Sequence, residues 1–260
     1  MRIAILYICT GRYTVFWDAF FRSCQRYFLP RRDRQYFVFT DGHIPHADAK
    51  RVHRIEQKNL GWPGNTLFRF RMFWSIREQL ATFDYIFFFN ANSEFLAPVG
   101  EEFLPSEEEG ITVVRHPGFF DKEPDAVTYD RNPKSRAYIP FGQGSCYICG
   151  GINGGRRDAW FAMSTALRAA IDEDEANGVV ALWHDESHIN TYILTHPHKA
   201  LPPAYCYPEG WNIPFEKIIL IRDKAKFGGH AFLRGEGPYV PASSSRRRTV
   251  SVGQARKKLS

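Results

Sequence analysis

The chain has 260 residues, 44% hydrophobic and 24% charged, which suits a globular protein with a sizeable core. Its formal net charge of +6 belongs to segment 243–260, which carries Arg246, Arg247, Arg248, Arg256, Lys257 and Lys258 and no acid. Without those six, 28 bases face 28 acids, and a neutral body argues against nucleic-acid binding by the folded part. Five cysteines without framework spacing point to a reducing compartment rather than a disulfide scaffold. The apolar run 3–8 is too short for a signal peptide or a membrane span, so a cytoplasmic protein of a bacterium or phage is expected.

Taken in order, residues 3–9 form an apolar run ending at Thr10-Gly11, the pattern of a buried strand. Segment 13–28 places Phe16, Phe20, Cys24, Tyr27 and Phe28 at helical spacing and stops before Pro30. Strands are expected at 36–39, ending at Thr40-Asp41-Gly42, and at 51–55. After Gly61, Pro63 and Gly64 a helix is expected from about 66 to 80, then a fully buried strand at 84–89, ending at Asn90. Strands alternating with helices predict a parallel sheet covered on both faces, and ligands of such sheets bind beyond the carboxyl ends of the strands. Segments 10–13, 40–41 and 90–92 all lie on that rim. In the second half a strand is expected at 111–115 and a long polar loop at 117–144. A strand at 146–148 leads into Gly150-Gly151-Ile152-Asn153-Gly154-Gly155, whose plain alternative to a ligand-approaching backbone is a turn before the next helix. Helices are expected at about 157–177 and 183–194, and a late strand at 217–221. No internal repeat is present.

Three places suggest chemistry. Many nucleotide-sugar transferases carry D-x-D after a strand like 84–89, where two carboxylates hold a cation that neutralises the leaving diphosphate. Here the triplet is Asn90-Ala91-Asn92, and amides are poor ligands for a hard cation; read alone, it is more simply a turn. In Trp183-His184-Asp185-Glu186-Ser187-His188, the two histidines imitate the zinc motif H-E-x-x-H. Asp185 stands where the general-base glutamate belongs, so no zinc site is expected. Acids there could merely complement a helix start. The preferred reading is a carboxylate facing a sugar's anomeric carbon. Retention of configuration needs a nucleophile or an anion beside an oxocarbenium-like centre, and Glu186 suits either, with Asp185 binding a sugar hydroxyl. Late in the chain, Arg222, Lys224, Lys226 and Arg234 surround Gly228-Gly229-His230. They could close over a diphosphate or be solvated surface charge. The glycines at 150–155 would let a backbone approach a ligand, though their spacing is not a dinucleotide fingerprint. Cys146 and Cys149 form a C-x-x-C without the partners that redox or zinc chemistry needs.

Several segments in order carry a resemblance: 7–13 (YICTGRY), 58–63 (KNLGWP), 87–92 (FFFNAN), 116–119 (HPGF), 137–140 (AYIP), 183–187 (WHDES), 207–211 (YPEGW) and 228–230 (GGH). Together, over about residues 3–234, the chain resembles glycosyltransferase family 6, the family of the blood-group A/B and α1,3-galactosyl transferases, in its metal-independent bacterial branch.

The resemblance implies an α/β GT-A fold in one domain over 1–242, with a mixed central sheet flanked by helices. A nucleotide-binding half would span about 1–115 and a catalytic and acceptor half about 116–235, followed by a basic disordered tail at 243–260. It implies that Ile8, Thr10 and Tyr13 hold uridine and that Arg69 contacts the donor. Asn90 and Asn92 stand at the D-x-D positions, so no metal ion is expected. Glu186 matches the catalytic glutamate and Asp185 its sugar-binding neighbour. Lys226 and Arg234 resemble the basic residues that close on UDP, with Lys224 able to replace Lys226. Cys149-Gly150-Gly151 matches the segment that sets donor choice, and a small residue at 151 leaves room for an N-acetyl group, favouring UDP-GalNAc over UDP-Gal. Fucosylated galactosides such as 2′-fucosyllactose are the implied acceptors, with His116, Glu209 and Trp211 as contacts. The expected activity is a retaining α1,3-N-acetylgalactosaminyltransferase. A UDP-Gal-dependent transferase and a non-catalytic glycan-binding module remain as alternatives, and the basic tail suggests weak attraction to anionic lipid.

Overall fold

The structure, a computed structural model, describes residues 1–241; the expected tail at 243–260 and the domain limit at 242 lie outside the described residues. The chain forms strands β1 (Arg2–Ile8), β2 (Asp33–Thr40), β3 (Val52–Glu56), β4 (Tyr85–Phe89), β5 (Ser93–Phe95), β6 (Ile111–Arg115), β7 (Ile148–Arg156), β8 (Lys199–Leu201), β9 (Tyr207–Pro208) and β10 (Ile219–Ile221). Its helices are α1 (Trp17–Tyr27), α2 (Gly61–Leu67), α3 (Arg69–Trp74), α4 (Arg77–Leu80), α5 (Arg157–Ala176), α6 (Asp185–Tyr192) and α7 (Gly229–Arg234).

Seven strands make the central sheet in the order β3-β2-β1-β4-β7-β6-β8. Strands β1 to β4 run parallel, while β7 is antiparallel to both β4 and β6, so the sheet is mixed. The apolar runs of the first strands follow from burial on both faces. Ile3, Ile5 and Tyr7 of β1, with Phe87 and Phe89 of β4, join Trp17, Phe20 and Cys24 of α1 in one core. The alternate residues Ala4, Leu6, Ile86 and Phe88 meet Phe70 and Phe73 of α3 and Trp160, Met163 and Leu167 of α5 in the other. This is the mixed sheet flanked by helices expected of a GT-A fold. No helix among the described residues is long and apolar enough to cross a membrane.

Three local expectations give way. The helix expected at 66–80 is three short pieces, α2 to α4, broken at Phe68 and Ile76, where neither residue keeps helical backbone angles. The helix expected from 13 begins with a 3-10 segment, Gly11–Phe16. The glycine-rich stretch at 150–155 is not a turn but the body of β7. Its glycines answer to crowding across the sheet. A Cβ on Gly154 would lie 2.1 Å from the Phe87 ring and 2.5 Å from the Ile86 carbonyl oxygen, and one on Gly155 would lie 2.3 Å from the Gly110 oxygen. In a second sheet, β5-β10-β9, the late strand expected at 217–221 is β10, while β5 and β9, of three and two residues, carry no readable period and had no signal in the sequence.

Gly151 contrasts with Gly154: a Cβ there would reach no nearer than 3.4 Å to Asn90. Gly154→Ala is expected to cost about 3 kcal/mol or more, because backbone as well as the Phe87 ring blocks the methyl. Gly151→Ala is expected to leave stability nearly unchanged. Thermal unfolding of the two variants beside the parent checks the pair.

Candidate active site

The carboxyl ends of β1 and β4 and the start of β7 share one rim, because β7 runs against β4 and the Asn90 N–H donates to the Gly151 carbonyl at 2.7 Å. A cleft of about 250 Å³ opens there. Ile8, Thr10 and Tyr13 form one wall, and Asn90, Gly150 and Gly151 the floor. Arg69, Asp185 and Glu186 face it from α3 and α6, and Lys224, Leu233 and Arg234 close the remaining side.

Glu186 is held by two donors. The Tyr147 hydroxyl donates to Oε1 at 2.7 Å and the Gly150 N–H donates to Oε2 at 2.8 Å. Burial raises its pKa, opposed by the Gly150 N–H, Tyr147 and Arg69. Gly150 must lack a side chain, since a Cβ would lie 2.9 Å from that of Glu186. Asn190, one helical turn after Glu186, fixes α6 to β7. Its amide accepts from the Ile148 N–H at 3.0 Å and donates to the Ile148 carbonyl at 3.1 Å.

Asp185 is fully buried beside the Arg69 guanidinium, with Nε 3.0 Å from Oδ2. The contact is one of charge rather than a directed hydrogen bond. Arg69 donates instead to the carbonyls of Thr66 at 3.2 Å and Gly150 at 3.1 Å, and neither oxygen of Asp185 has a hydrogen-bond partner. Burial pushes the Asp185 pKa up to about 7, despite Arg69. His184, just before it, adopts φ +57°, ψ −128°, a conformation that a residue with a side chain rarely takes. Its ring packs edge-on to Trp62 at 4.8 Å.

The basic segment reaches the cleft through α7. The Arg12 guanidinium donates to the Phe232 carbonyl at 2.8 Å and stacks on the Phe232 ring at 4.1 Å. Arg234 lies over Trp62 at 4.0 Å, and the Lys224 ammonium stands 5.3 Å from the Tyr13 ring. Burial lowers the Lys224 pKa to about 8, with Arg234 and Arg69 adding repulsion. Of the two lysines, Lys224 lines the cleft, whereas Lys226 pairs with Glu209 at 2.7 Å outside it.

Asn92, Cys149, His116, Glu209 and Trp211 sit beside the cleft rather than on its wall. Asn90 donates to the Asn92 carbonyl oxygen at 3.0 Å, and buried Asn92 donates to the Arg222 carbonyl at 2.7 Å. Cys149 is buried, with its sulfur 3.2 Å from that of Cys206 and not paired with Cys146. His116 packs on Phe119 and Tyr147, and burial drives its pKa down to about 4. The half-exposed Trp211 meets His116 across Gly118, while Glu209 is engaged by Arg222, Lys226 and the Asp223 N–H. Sequence reasoning missed Tyr147 and Asn190, which hold Glu186 in place, and Asn65, whose amide donates to Thr10 at 3.1 Å and Asn59 at 2.7 Å. The spacing of Asn190, four after Glu186 on one helical face, was the available signal. Among the described residues, no three His, Cys, Asp or Glu side chains gather to hold a metal ion.

The chain is similar to several known proteins. The chain is 31% identical to the O-antigen biosynthesis glycosyltransferase WbnI of Escherichia coli over 227 residues, covering 87% of this chain and 96% of that protein. It is 31% identical to the histo-blood group ABO system transferase 1 of Rattus norvegicus over 228 residues, 83% of this chain and 64% of the relative. It is 30% identical to the globoside alpha-1,3-N-acetylgalactosaminyltransferase 1 of Gallus gallus over 234 residues, 85% of this chain and 66% of the relative. The chain thus spans under two thirds of the length of these two animal proteins. The model of one family, glycosyltransferase family 6, matches residues 1–234, and with that coverage the chain belongs to this family and is a glycosyltransferase.

Proposed function

We propose that the protein transfers N-acetylgalactosamine from UDP-GalNAc to O3 of a fucosylated galactoside, with retention of the α configuration and without a metal ion. The observation that carries the reading is the fixed Glu186 carboxylate beside an Asp185 whose two oxygens lack hydrogen-bond partners, both on a cleft that also holds three cations. Hydroxyls of a bound sugar would satisfy Asp185, and an anion facing the anomeric carbon would stabilise the positive charge that develops there.

On this reading Ile8, Thr10 and Tyr13 receive uridine, and Arg69, Lys224 and Arg234 take the diphosphate. The glycosidic bond to UDP breaks with both electrons leaving on the phosphate oxygen. The acceptor O3 attacks from the face UDP vacates, and its proton passes to the β-phosphate. Glu186 need not move, since its two donors already orient it. Two features support metal independence: the side-chain amides at 90 and 92 are engaged with each other and with the Arg222 carbonyl, and Arg69, Lys224 and Arg234 line the same cleft. Gly151 supports GalNAc as donor. It lines the cleft, and the chicken relative's name specifies N-acetylgalactosamine. His116 and Trp211, on either side of Gly118, form the shoulder on which the acceptor would rest, with Glu209 near Trp211.

The direct test is UDP release from UDP-GalNAc or UDP-Gal with 2′-fucosyllactose, in EDTA and again with Mn²⁺. Equal turnover in both media and preference for UDP-GalNAc are expected. Dependence on Mn²⁺ would overturn the metal-free reading, and preference for UDP-Gal the donor. Glu186→Gln keeps the shape but loses the charge, and is expected to lower kcat about 100-fold or more with little change in UDP affinity. Near-parental turnover would remove Glu186 from this role. A pH profile tests the cations. Lys224 is charged below its pKa of about 8 and neutral above it, so the KM for donor should rise as pH passes through 8. Lys224→Arg, charged throughout, should flatten that limb.

A further inference from the structure

One corner of the cleft is lined by two asparagines whose orientation the backbone decides. Asn59 and Asn65 stand beside Thr10, on the wall proposed to receive uridine. A backbone N–H can only donate, so the amide atom it meets is an oxygen. The Gly61 N–H meets Asn59 at 2.9 Å and the Leu60 N–H meets Asn65 at 3.0 Å, which fixes the Oδ1 of each side chain. Asn65 Nδ2 then donates to Asn59 Oδ1 at 2.7 Å and to the Thr10 hydroxyl oxygen at 3.1 Å. Neither amide can be turned over without setting one N–H against another.

This network determines what the corner can offer a ligand. The oxygen of Asn59 already accepts two bonds, as many as its lone pairs allow, so only the Nδ2 donors remain to serve the cleft. That nitrogen lies against the uridine segment: a Cβ on Gly11 would stand 3.1 Å from it. The Thr10 hydroxyl, accepting from Asn65, keeps its proton to donate as well. The corner therefore matches an acceptor on the ligand and opposes a donor. A ribose hydroxyl rotates to suit either polarity and needs no fixed partner, whereas the edge of a base has a set polarity. An amide locked as a donor is suited to reading the latter. At C4, uracil carries a carbonyl and cytosine an amine, so uracil is matched and cytosine sets N–H against N–H.

We infer that Asn59 selects the base of the nucleotide donor, donating from Nδ2 to the C4 carbonyl oxygen of uracil, and that Asn65 is the positioning residue that holds its amide in that orientation. The inference rests on the proposed nucleotide-sugar reading of the cleft and adds to it the choice between pyrimidine bases. A site built to hydrogen-bond one group rejects an analogue that cannot complete the bond, because the donor is then desolvated and unpaired.

The test is titration calorimetry of the full chain with UDP and with CDP. Both carry the same ribose and diphosphate, so the ratio of their dissociation constants isolates the base. The parent is expected to bind UDP about tenfold more tightly than CDP, or better. Asn59→Asp keeps one oxygen for the Gly61 N–H and Asn65 and turns an acceptor to the cleft. It is expected to lower the preference for UDP about tenfold or more, whatever its charge does to the two ligands alike. Asn59→Ala adds no charge, serves should the aspartate variant unfold, and is expected to bring the two affinities toward parity. Asn65→Leu frees the Asn59 amide to turn over and is expected to lower the same preference, which a loss of stability alone would not do. A parent that binds neither nucleotide overturns the proposed donor, and this inference with it. A parent that prefers UDP by a margin that the Asn59 changes leave intact overturns the role of Asn59 alone. Equal binding of UDP and CDP by the parent overturns that role too, and leaves the nucleotide reading standing.

Discussion

The approach of α6 to β7 is the contact on which the site depends. Two hydrogen bonds between the Asn190 amide and the backbone of Ile148, one in each direction, and one from the Gly150 N–H to Glu186, join helix to strand across a distance that only glycine permits at 150. A net hydrogen bond is worth about 1 kcal/mol, yet leaving the buried Asn190 amide unpaired would cost more, so the register of α6 is fixed. Asp185 and Glu186 are consecutive at the start of that helix, and one placement positions both. Arg69 completes the arrangement from the other side. Its donors reach the Gly150 and Thr66 carbonyls, its charge meets Asp185, and its plane lies 4.5 Å from the Phe88 ring of β4. Four elements thereby converge on one carboxylate pair, and the rigid sheet beneath them carries the geometry.

The charges that converge there conflict with their burial. Burial drives Asp185 up to about 7 and Lys224 down to about 8, both shifts toward the neutral form. Arg69 opposes the shift at Asp185, whereas the charged neighbours of Lys224, Arg234 and Arg69, are like charges that add to its shift. A dianionic diphosphate would reverse the penalty on the cations, and sugar hydroxyls would supply what Asp185 lacks. The strained backbone of His184 belongs to the same economy: a positive φ immediately before Asp185 turns the chain so that two successive acids enter the cleft. Sites whose groups conflict among themselves and are complementary to a charged ligand are expected of pre-organised catalysts.

Much of this was legible in the sequence, for identifiable reasons. Strands β1 and β4 are buried on both faces, so their apolar runs were unambiguous, and the rim residues Thr10, Tyr13 and Asn90 followed from where those runs end. Glycines misled because the same residue type serves two needs. At Gly154 and Gly155 the neighbouring strands leave no room for a Cβ, a constraint that lies in Phe87, Ile86 and Gly110 rather than in local sequence. Tyr147 and Asn190 were missed because their value is their contact with partners about forty residues away. The choice between Lys224 and Lys226 was undecidable from composition. It turns on a 3-10 turn, Lys224–Phe227, capped by Asp223, that sends one lysine to the cleft and the other to Glu209.

That turn is tied to the amide at 92, which bears on why amides stand there. Asn92 donates its side-chain N–H to the Arg222 carbonyl at 2.7 Å, and the Arg222 N–H donates back to the Asn92 carbonyl, also at 2.7 Å. An aspartate at 92 has no proton to give, and its oxygen would stand against the Arg222 oxygen, a repulsion that a bound cation or a rearranged segment would have to absorb. The amide removes the repulsion and converts the same position into a clamp on the segment that delivers Lys224 two residues later. On the proposed metal-free reading, giving up a carboxylate at 92 and gaining a protein cation at 224 are therefore one structural change rather than two. On that reading, the charge that a metal would bring would come from a side chain whose segment the Asn92 amide clamps in place.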